Sequence, residues 1–439
     1  MKSSGREAAL TALQRCRKDG AWSGEAIDRL IKKYELDRRE AALASRLCLG
    51  VLQNSSCLDY YIDFYRKGAT KLEPKLRDIL RLGAYQLMFL DKIPESAAVN
   101  ESVALSKKSG FSRASGLVNA ILRRIAENKD KLPEIPGKGS AQYLSIKYSH
   151  PLWLCKRIIE EKGYDFAEEF LQANNSASYL NIQVNRLKIS VPDYEKLLDE
   201  AEIQYVESDY PEGCLELKGG NVSKLPGFEE GLFYVQDKAA RIAAEIAGAK
   251  PGMRVMDCCA APGGKSFASA INMENRGSIL SCDIHEKKLG LIKSGAERLG
   301  VDIISTRAND ARKPDESLKD SFQLVIADVP CSGLGVIGKK PEIRQKDETE
   351  LNNLPAIQRD ILNTVSKYVE VGGCLLYSTC TVLKCENEDI VENFLKENPD
   401  FEAVDFSAGH IKSDKGMYTF WPNKDGCDGF FAAKMRRIK

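Results

Sequence analysis

No C-x-x-C pair occurs in this 439-residue chain, although it holds 13 cysteines. The usual zinc spacing is therefore missing, and no metal is expected. An odd number of cysteines, behind an N-terminus without the basic-then-apolar layout of a secretion signal, also argues against a disulfide framework. Reduced thiols in a cytoplasmic protein are the expected state. No apolar run reaches the roughly 18 residues that a membrane span needs, so no membrane segment is expected. A net charge of +1 with 43% hydrophobic residues is ordinary for a soluble globular protein and argues against disorder. Histidine is scarce, at three residues. One of them, His150, precedes a proline with no carboxylate or cysteine pair nearby, and reads as structural.

Two nucleotide-binding signatures are also absent from the main glycine turn. The run Asp257-Cys258-Cys259-Ala260-Ala261-Pro262-Gly263-Gly264-Lys265-Ser266 reads as a strand end, a tight glycine turn and a helix start. A P-loop needs glycine five positions before Gly264, where Cys259 stands, and the run holds no G-x-G-x-x-G either. The turn still offers backbone N–H groups and a positive helix end to an anionic group. Something other than a nucleoside triphosphate or a dinucleotide is expected there.

Charge is unevenly spread. Residues 1–130 carry 24 Lys and Arg against 16 Asp and Glu, and the remainder is acidic in compensation. This first stretch has helical periodicity throughout, with apolar faces such as Leu76, Ile79, Leu80, Ala84 and Leu87, and Leu117, Val118, Ile121, Leu122 and Ile125. Six or seven helices are expected. Lys107, Lys108, Arg113, Arg123 and Arg124 fall within one helix–loop–helix stretch and are candidate phosphate contacts. The alternative is a solvated scaffold surface.

Residues 127–142 have linker composition, with two prolines and two glycines. Three domains are drawn on this basis: 1–130 all-α; 131–245, a helical linker plus a small α/β unit; and 246–439, α/β. In the middle segment Leu180, Ile182 and Val184 alternate with polar residues, the period of a half-buried strand. Beyond 246, strands at Arg254–Ala260, Gly277–Ile284, Asp302–Ala308, Phe322–Val329 and Cys374–Thr379 alternate with helices at Ser266–Met273, Glu286–Leu299 and Leu351–Val369. That order predicts a Rossmann-like, doubly wound parallel sheet with its ligands outside the carboxyl ends of the strands.

The distinctive residues stand at those ends. Asp283 closes the second strand, where a carboxylate can accept from ribose hydroxyls, and Asp310 follows the third, where it can meet an adenine amino group. A glycine turn with two such carboxylates suits S-adenosylmethionine; NAD is the alternative. Asp328-Val329-Pro330-Cys331 ends the fourth strand and Ser378-Thr379-Cys380-Thr381 the fifth. Adjacent parallel strands would bring the two thiols over one pocket. Carbon 5 of cytosine is a poor nucleophile until a thiolate adds at carbon 6, so methylation there is chemistry that needs a thiol. Asp328 is placed to hydrogen-bond the base and stabilise the adduct.

These motifs are similar to those of the RNA 5-methylcytosine methyltransferases. The stretches Ile93–Glu101 and Gly116–Arg124 resemble the NusB family of RNA-binding helical domains. The small α/β unit looks like the RRM-like subdomain of one methyltransferase group. Taken together the chain resembles the RsmB (Sun/Fmu) family of bacterial 16S ribosomal RNA cytosine-C5 methyltransferases, over nearly its whole length. The resemblance implies that Cys380 is the nucleophile and that Cys331 assists release. Lys265 and Asp328 complete the catalytic group. The resemblance also implies a cofactor site of Cys259, Ala260, Ala261, Pro262, Gly263, Gly264, Lys265, Asp283, Asp310 and Asp328, with S-adenosyl-L-methionine as cofactor. It further implies 16S rRNA as partner and a monomer. A tRNA methyltransferase and an RNA-binding assembly factor are the alternatives.

Overall fold

The computed structural model describes residues 4–66, 71–176, 179–218 and 221–439. The chain divides into two compact units, Met1–Ser176 with Ile337–Glu348, and Ala177–Val336 with Thr349–Lys439. Among the described residues no helix is long and apolar enough to cross a membrane.

The first unit opens with seven α-helices: Gly5–Asp19, Ser23–Lys33, Arg38–Gln53, Ser55–Tyr65, Pro74–Phe89, Glu95–Lys108 and Ser115–Glu127. Local chemistry starts several of them. Asp37 accepts from the Arg39 and Glu40 amides at 2.9 Å each, and Pro74 stands in the first turn, where no amide donor is needed. The periodic apolar faces form the core, with Leu76, Ile79, Leu80, Ala84 and Leu87 all buried. Leu117 departs from its expected face and is 38% exposed, at the first turn of its helix. Lys107, Lys108, Arg113, Arg123 and Arg124 are all exposed.

Helices Ala141–Lys147, Leu152–Lys162 and Tyr164–Ala173 follow in the same compact unit. The proline- and glycine-containing run 127–142 leads into them. The inserted piece Ile337–Glu348 explains the grouping. Its Arg344, 7% exposed, donates to the carbonyls of Gln53 (2.7 Å), Tyr148 (2.9 Å), Ser149 (3.3 Å) and Asn174 (3.4 Å), and to Asn175 Oδ1 (2.6 Å). His150 is buried here with Nδ1 2.8 Å from the Tyr148 carbonyl, the structural role expected of it.

The second unit begins with a four-stranded antiparallel sheet. Strand Leu180–Val184 runs between Cys214–Leu217 and Phe233–Val235, with Tyr205–Glu207 outermost and helix Val191–Glu200 as cover. Next comes the large sheet. Its five parallel strands are Arg254–Asp257, Ser278–Asp283, Ile304–Ala308, Phe322–Asp328 and Val369–Thr379, in the spatial order fifth, fourth, first, second, third. Buried Val255, Ile279, Val325, Ile326, Leu375 and Leu376 fill its two faces, each side chain contributing about 1.5–3 kcal/mol of burial.

The sheet is mixed rather than wholly parallel. Strand Phe430–Arg437 adds antiparallel to the fifth strand and carries Phe401–Ala403 and Met417–Phe420 on its other side. The helix expected over Leu351–Val369 is α-helical only from Leu354 to Val365, and Val369 already begins the fifth strand. In the strand order, direction reverses between the first and fourth strands. The crevice at their carboxyl ends is where a doubly wound sheet holds its ligand.

Candidate active site

A cavity of about 410 Å³ opens at that crevice. Every strand end except the fifth reaches it: Cys258 and Cys259 from the first, Asp283 from the second, Asn309 and Asp310 after the third, Asp328 and Pro330 after the fourth. Ile357 and Ile361, one helical turn apart on Leu354–Val365, supply an apolar wall. Of the residues expected at a cofactor, Cys259, Ala261, Asp283, Asp310 and Asp328 line the cavity, whereas Ala260, Pro262, Gly263, Gly264 and Lys265 do not.

The non-lining residues shape the turn instead. Gly263 has φ +116°, and a Cβ there would lie 2.5 Å from the Phe267 ring, so only glycine serves. The turn ends in helix Gly264–Asn272, two residues earlier than expected. Its first amides have no partner within the helix and carry the positive end of its dipole. Asp283 accepts from the Ala261 amide (3.3 Å) and the His285 amide (2.8 Å), which fixes its carboxylate at the cavity wall. Asp310 is forked by Arg312, through Nε at 2.9 Å and Nη2 at 2.8 Å, and that pairing holds its pKa below the usual carboxylate range.

Beneath the turn, Asp257 is buried and accepts from Ser266 Oγ at 2.7 Å; that hydroxyl is also 2.8 Å from Ser281 Oγ. Burial pushes the Asp257 carboxyl up to about 7. The unfolded chain releases this proton near 3.8, so the stability it contributes is complete below that value and is lost as pH rises through about 7. Asp257→Asn is accordingly expected to flatten the fall in stability between pH 4 and 7, read as urea midpoints across that range. Parallel pH profiles for the two proteins would contradict this.

The chemistry-bearing side chains gather beside the cavity. Cys331 Sγ and Cys380 Sγ are 3.2 Å apart, both partly exposed. The adjacent fourth and fifth strands bring them together, with Asp328 opposite Ser378 in register. Asp328 accepts from Lys265 Nζ at 2.7 Å through one oxygen and from Ser378 Oγ at 2.8 Å through the other. Lys265, its side chain only 7% exposed, lies 4.9 Å from the centre of the Phe430 ring. The hydrogen bond with Cys380, desolvation, and the charges of Cys380 and Glu386 push the Cys331 thiol well above the ordinary thiol range. Either sulfur can be the donor in the contact between them. Cys258 and Cys259 are also pushed well up, chiefly by burial, which leaves them inert. Close approach secures the Cys380 backbone: the Gly335 amide donates to its carbonyl at 3.0 Å, and a Cβ on Gly335 would meet the Gly429 carbonyl oxygen at 1.8 Å.

A turn that receives an anionic group, strand-end carboxylates and a two-thiol site beside them are the parts of a methyltransferase. Sequence comparison decides which one. A probable ribosomal RNA small subunit methyltransferase B of Bacillus subtilis (strain 168) is 34% identical, over 99% of both chains. The chain belongs to the ribosomal RNA small subunit methyltransferase B family. An Escherichia coli O7:K1 member, ribosomal RNA small subunit methyltransferase B, is 29% identical over 94% of each chain. Three family models divide the sequence: the NusB family at residues 3–127, the RsmF/B-like ferredoxin-like domain at 150–223, and the 16S rRNA methyltransferase RsmB/F at 246–436. Among solved structures, that of PH0851 superimposes with a TM-score of 0.84 and 28% identity, covering 99% of this chain and 98% of that one. The chain is thus an rRNA methyltransferase by family, with the helical, small α/β and Rossmann-like parts expected of it.

Sequence reasoning misses the group that surrounds the thiols. Gln358, Glu386 and Asn387 are polar and fully buried. Gln358 lies four residues after Leu354 on a helix whose sequence signal is its apolar face, and no spacing rule singles out Glu386.

Proposed function

We propose that this protein transfers a methyl group from S-adenosylmethionine to carbon 5 of a cytosine in 16S ribosomal RNA, through a covalent bond between Cys380 and the base. The observation that carries this reading is the 3.2 Å thiol pair beside the Lys265–Asp328 ion pair. The cofactor fits the residues present: the cavity is of ligand size, Asp283 offers acceptors for a ribose diol, and Ile357 and Ile361 offer a flat apolar wall for a purine. The N-terminal end of helix Gly264–Asn272 suits a carboxylate.

When bound, S-adenosylmethionine supplies an electrophilic methyl group. The protein makes the cytosine able to take it. Cys380 adds as thiolate to carbon 6, and the electron pair moves to carbon 5. Asp328, held by Lys265 and Ser378, hydrogen-bonds the base edge and stabilises the charge that develops there. After methylation a base takes the proton from carbon 5, its electron pair re-forms the carbon 5–carbon 6 double bond, and the Cys380–carbon bond breaks to return the thiolate, a release that Cys331 assists. A stacked or paired cytosine must first be turned out to reach the thiols.

The test is incorporation of label from S-adenosylmethionine into small-subunit rRNA, followed by bisulfite sequencing of the product. No retained cytosine after bisulfite treatment would remove the carbon-5 reading. The exposed Arg123 and Arg124 bear on RNA capture by the helical domain. Reversing both to Glu is expected to weaken RNA binding, and to reduce the slope of log affinity against log salt by roughly one for each phosphate no longer neutralised. Unchanged affinity would return this face to scaffold status.

A further inference from the structure

Glu386 and Asn387 follow Cys380 by a short turn, and both have zero exposure. One oxygen of Glu386 accepts from the Ser332 backbone amide and from Gln358 Nε2, each at 2.9 Å. The other accepts from the Thr381 hydroxyl at 3.3 Å. Gln358 Nε2 donates in addition to the Pro330 carbonyl at 3.0 Å, and the Ser332 and Thr381 hydroxyls are 2.7 Å apart. Asn387 closes the arrangement: Thr379 Oγ1 donates to its Oδ1 at 2.6 Å, and its Nδ2 donates to the Thr381 carbonyl at 3.0 Å.

The residues on either side of both cysteines, Pro330 and Ser332, Thr379 and Thr381, are thus tied to one buried network. A carboxylate withdrawn from water is costly unless its oxygens are hydrogen-bonded, and a network of this kind is rigid when complete. The apolar core has no need of it. Apart from Pro330 none of its members lines the cofactor cavity.

We propose that Glu386 is a positioning residue for the two-thiol site, its buried carboxylate joining the Cys331 loop to the Cys380 loop and setting the separation and orientation of the sulfurs. Its negative charge also adds to the groups that keep the Cys331 proton in place. The division of labour between two chemically equal cysteines then has a structural cause: the clamp sets the Glu386 charge against ionisation of Cys331 and leaves Cys380 to act as thiolate. This deepens the methyl-transfer reading above and rests on it for its catalytic meaning.

The test uses the full-length protein and Glu386→Gln, with two readouts. The first is the pH dependence of iodoacetamide alkylation at Cys331, followed by mass spectrometry without RNA. Removing the charge and loosening the hold on Cys380 should speed Cys331 alkylation at pH 8.5 by roughly tenfold, because the thiolate forms more readily. The second is methyl transfer to small-subunit rRNA, expected to fall by roughly 10–100-fold with the KM for S-adenosylmethionine unchanged, as for a misplaced reacting group. A folded variant with native alkylation profile and native transfer overturns the proposal. If Glu386→Gln does not fold, Thr381→Val decides by the same two readouts, since it removes the bond from the Cys380 loop to Glu386 and keeps the Ser332 and Gln358 bonds. A native protein that fails to methylate rRNA while Glu386→Gln still alters Cys331 alkylation would sink the substrate assignment and support the clamp.

Discussion

Cys380→Ala is expected to lower methyl transfer by roughly 10⁴-fold or more, the scale on which covalent enzymes lose turnover with their nucleophile. S-adenosylmethionine affinity should be unaffected, because Cys380 is not part of the cavity wall. Cys331→Ala is expected to behave differently. On the proposed mechanism cytosine still adds to Cys380, but the sulfur 3.2 Å away that would assist release is gone. A protein–RNA adduct that survives denaturation should then accumulate, visible as a shifted band on a denaturing gel. Full transfer by Cys380→Ala would defeat the mechanism. An adduct formed by Cys380→Ala and absent from Cys331→Ala would reverse the two roles.

The second large effect lies in the first unit, on the inserted piece that the sequence places between Cys331 and Cys380. Arg344→Met should destabilise that unit by about 2–5 kcal/mol, since each buried acceptor left without a donor costs about 1–3 kcal/mol. The guanidinium meets four backbone carbonyls and one amide oxygen, and no carboxylate among those partners. Methionine fills much of the volume yet leaves those acceptors unpaired in a buried place. Burial lowers the pKa of Arg344, but a guanidinium stays charged throughout the working range, so the loss should be independent of pH from 6 to 9. Urea unfolding gives the measurement. A change below about 1 kcal/mol would mean that water replaces the guanidinium at those carbonyls.

Local signals are legible where one element decides them. Helix Glu286–Leu299 has the bounds its periodicity predicts, and it ends at Gly300 in the left-handed conformation. Asp283, Asp328, Cys331 and Cys380 stand near strand ends because strand–helix alternation locates those ends without any knowledge of pairing. Nonlocal choices are less legible. Val369 continues an apolar pattern that suits a helix or a strand, and only its pairing with Phe322 settles which. The antiparallel strand Phe430–Arg437 has no partner that its own residues could announce. Glu386 and Gln358 escape notice for a related reason: a charged or polar residue looks solvated until the donors and acceptors that satisfy it are brought from three separate stretches of chain. Asp310 illustrates the opposite case, since its partner Arg312 stands only two residues away.

That same strand Phe430–Arg437 imposes an order on assembly. It pairs with the fifth strand from Thr379 back to Cys374, and its first residue is the ring beside Lys265. A ribosome delivers both cysteines, Asp328 and the whole parallel sheet before this segment is made. Until then the fifth strand is a bare edge presenting unpaired amides and carbonyls beside Leu375, Leu376 and Tyr377, the kind of edge that recruits other chains. The catalytic group is therefore completed by the last piece of sheet to be synthesised, and the interval before its arrival is when the chain is most exposed to misassembly.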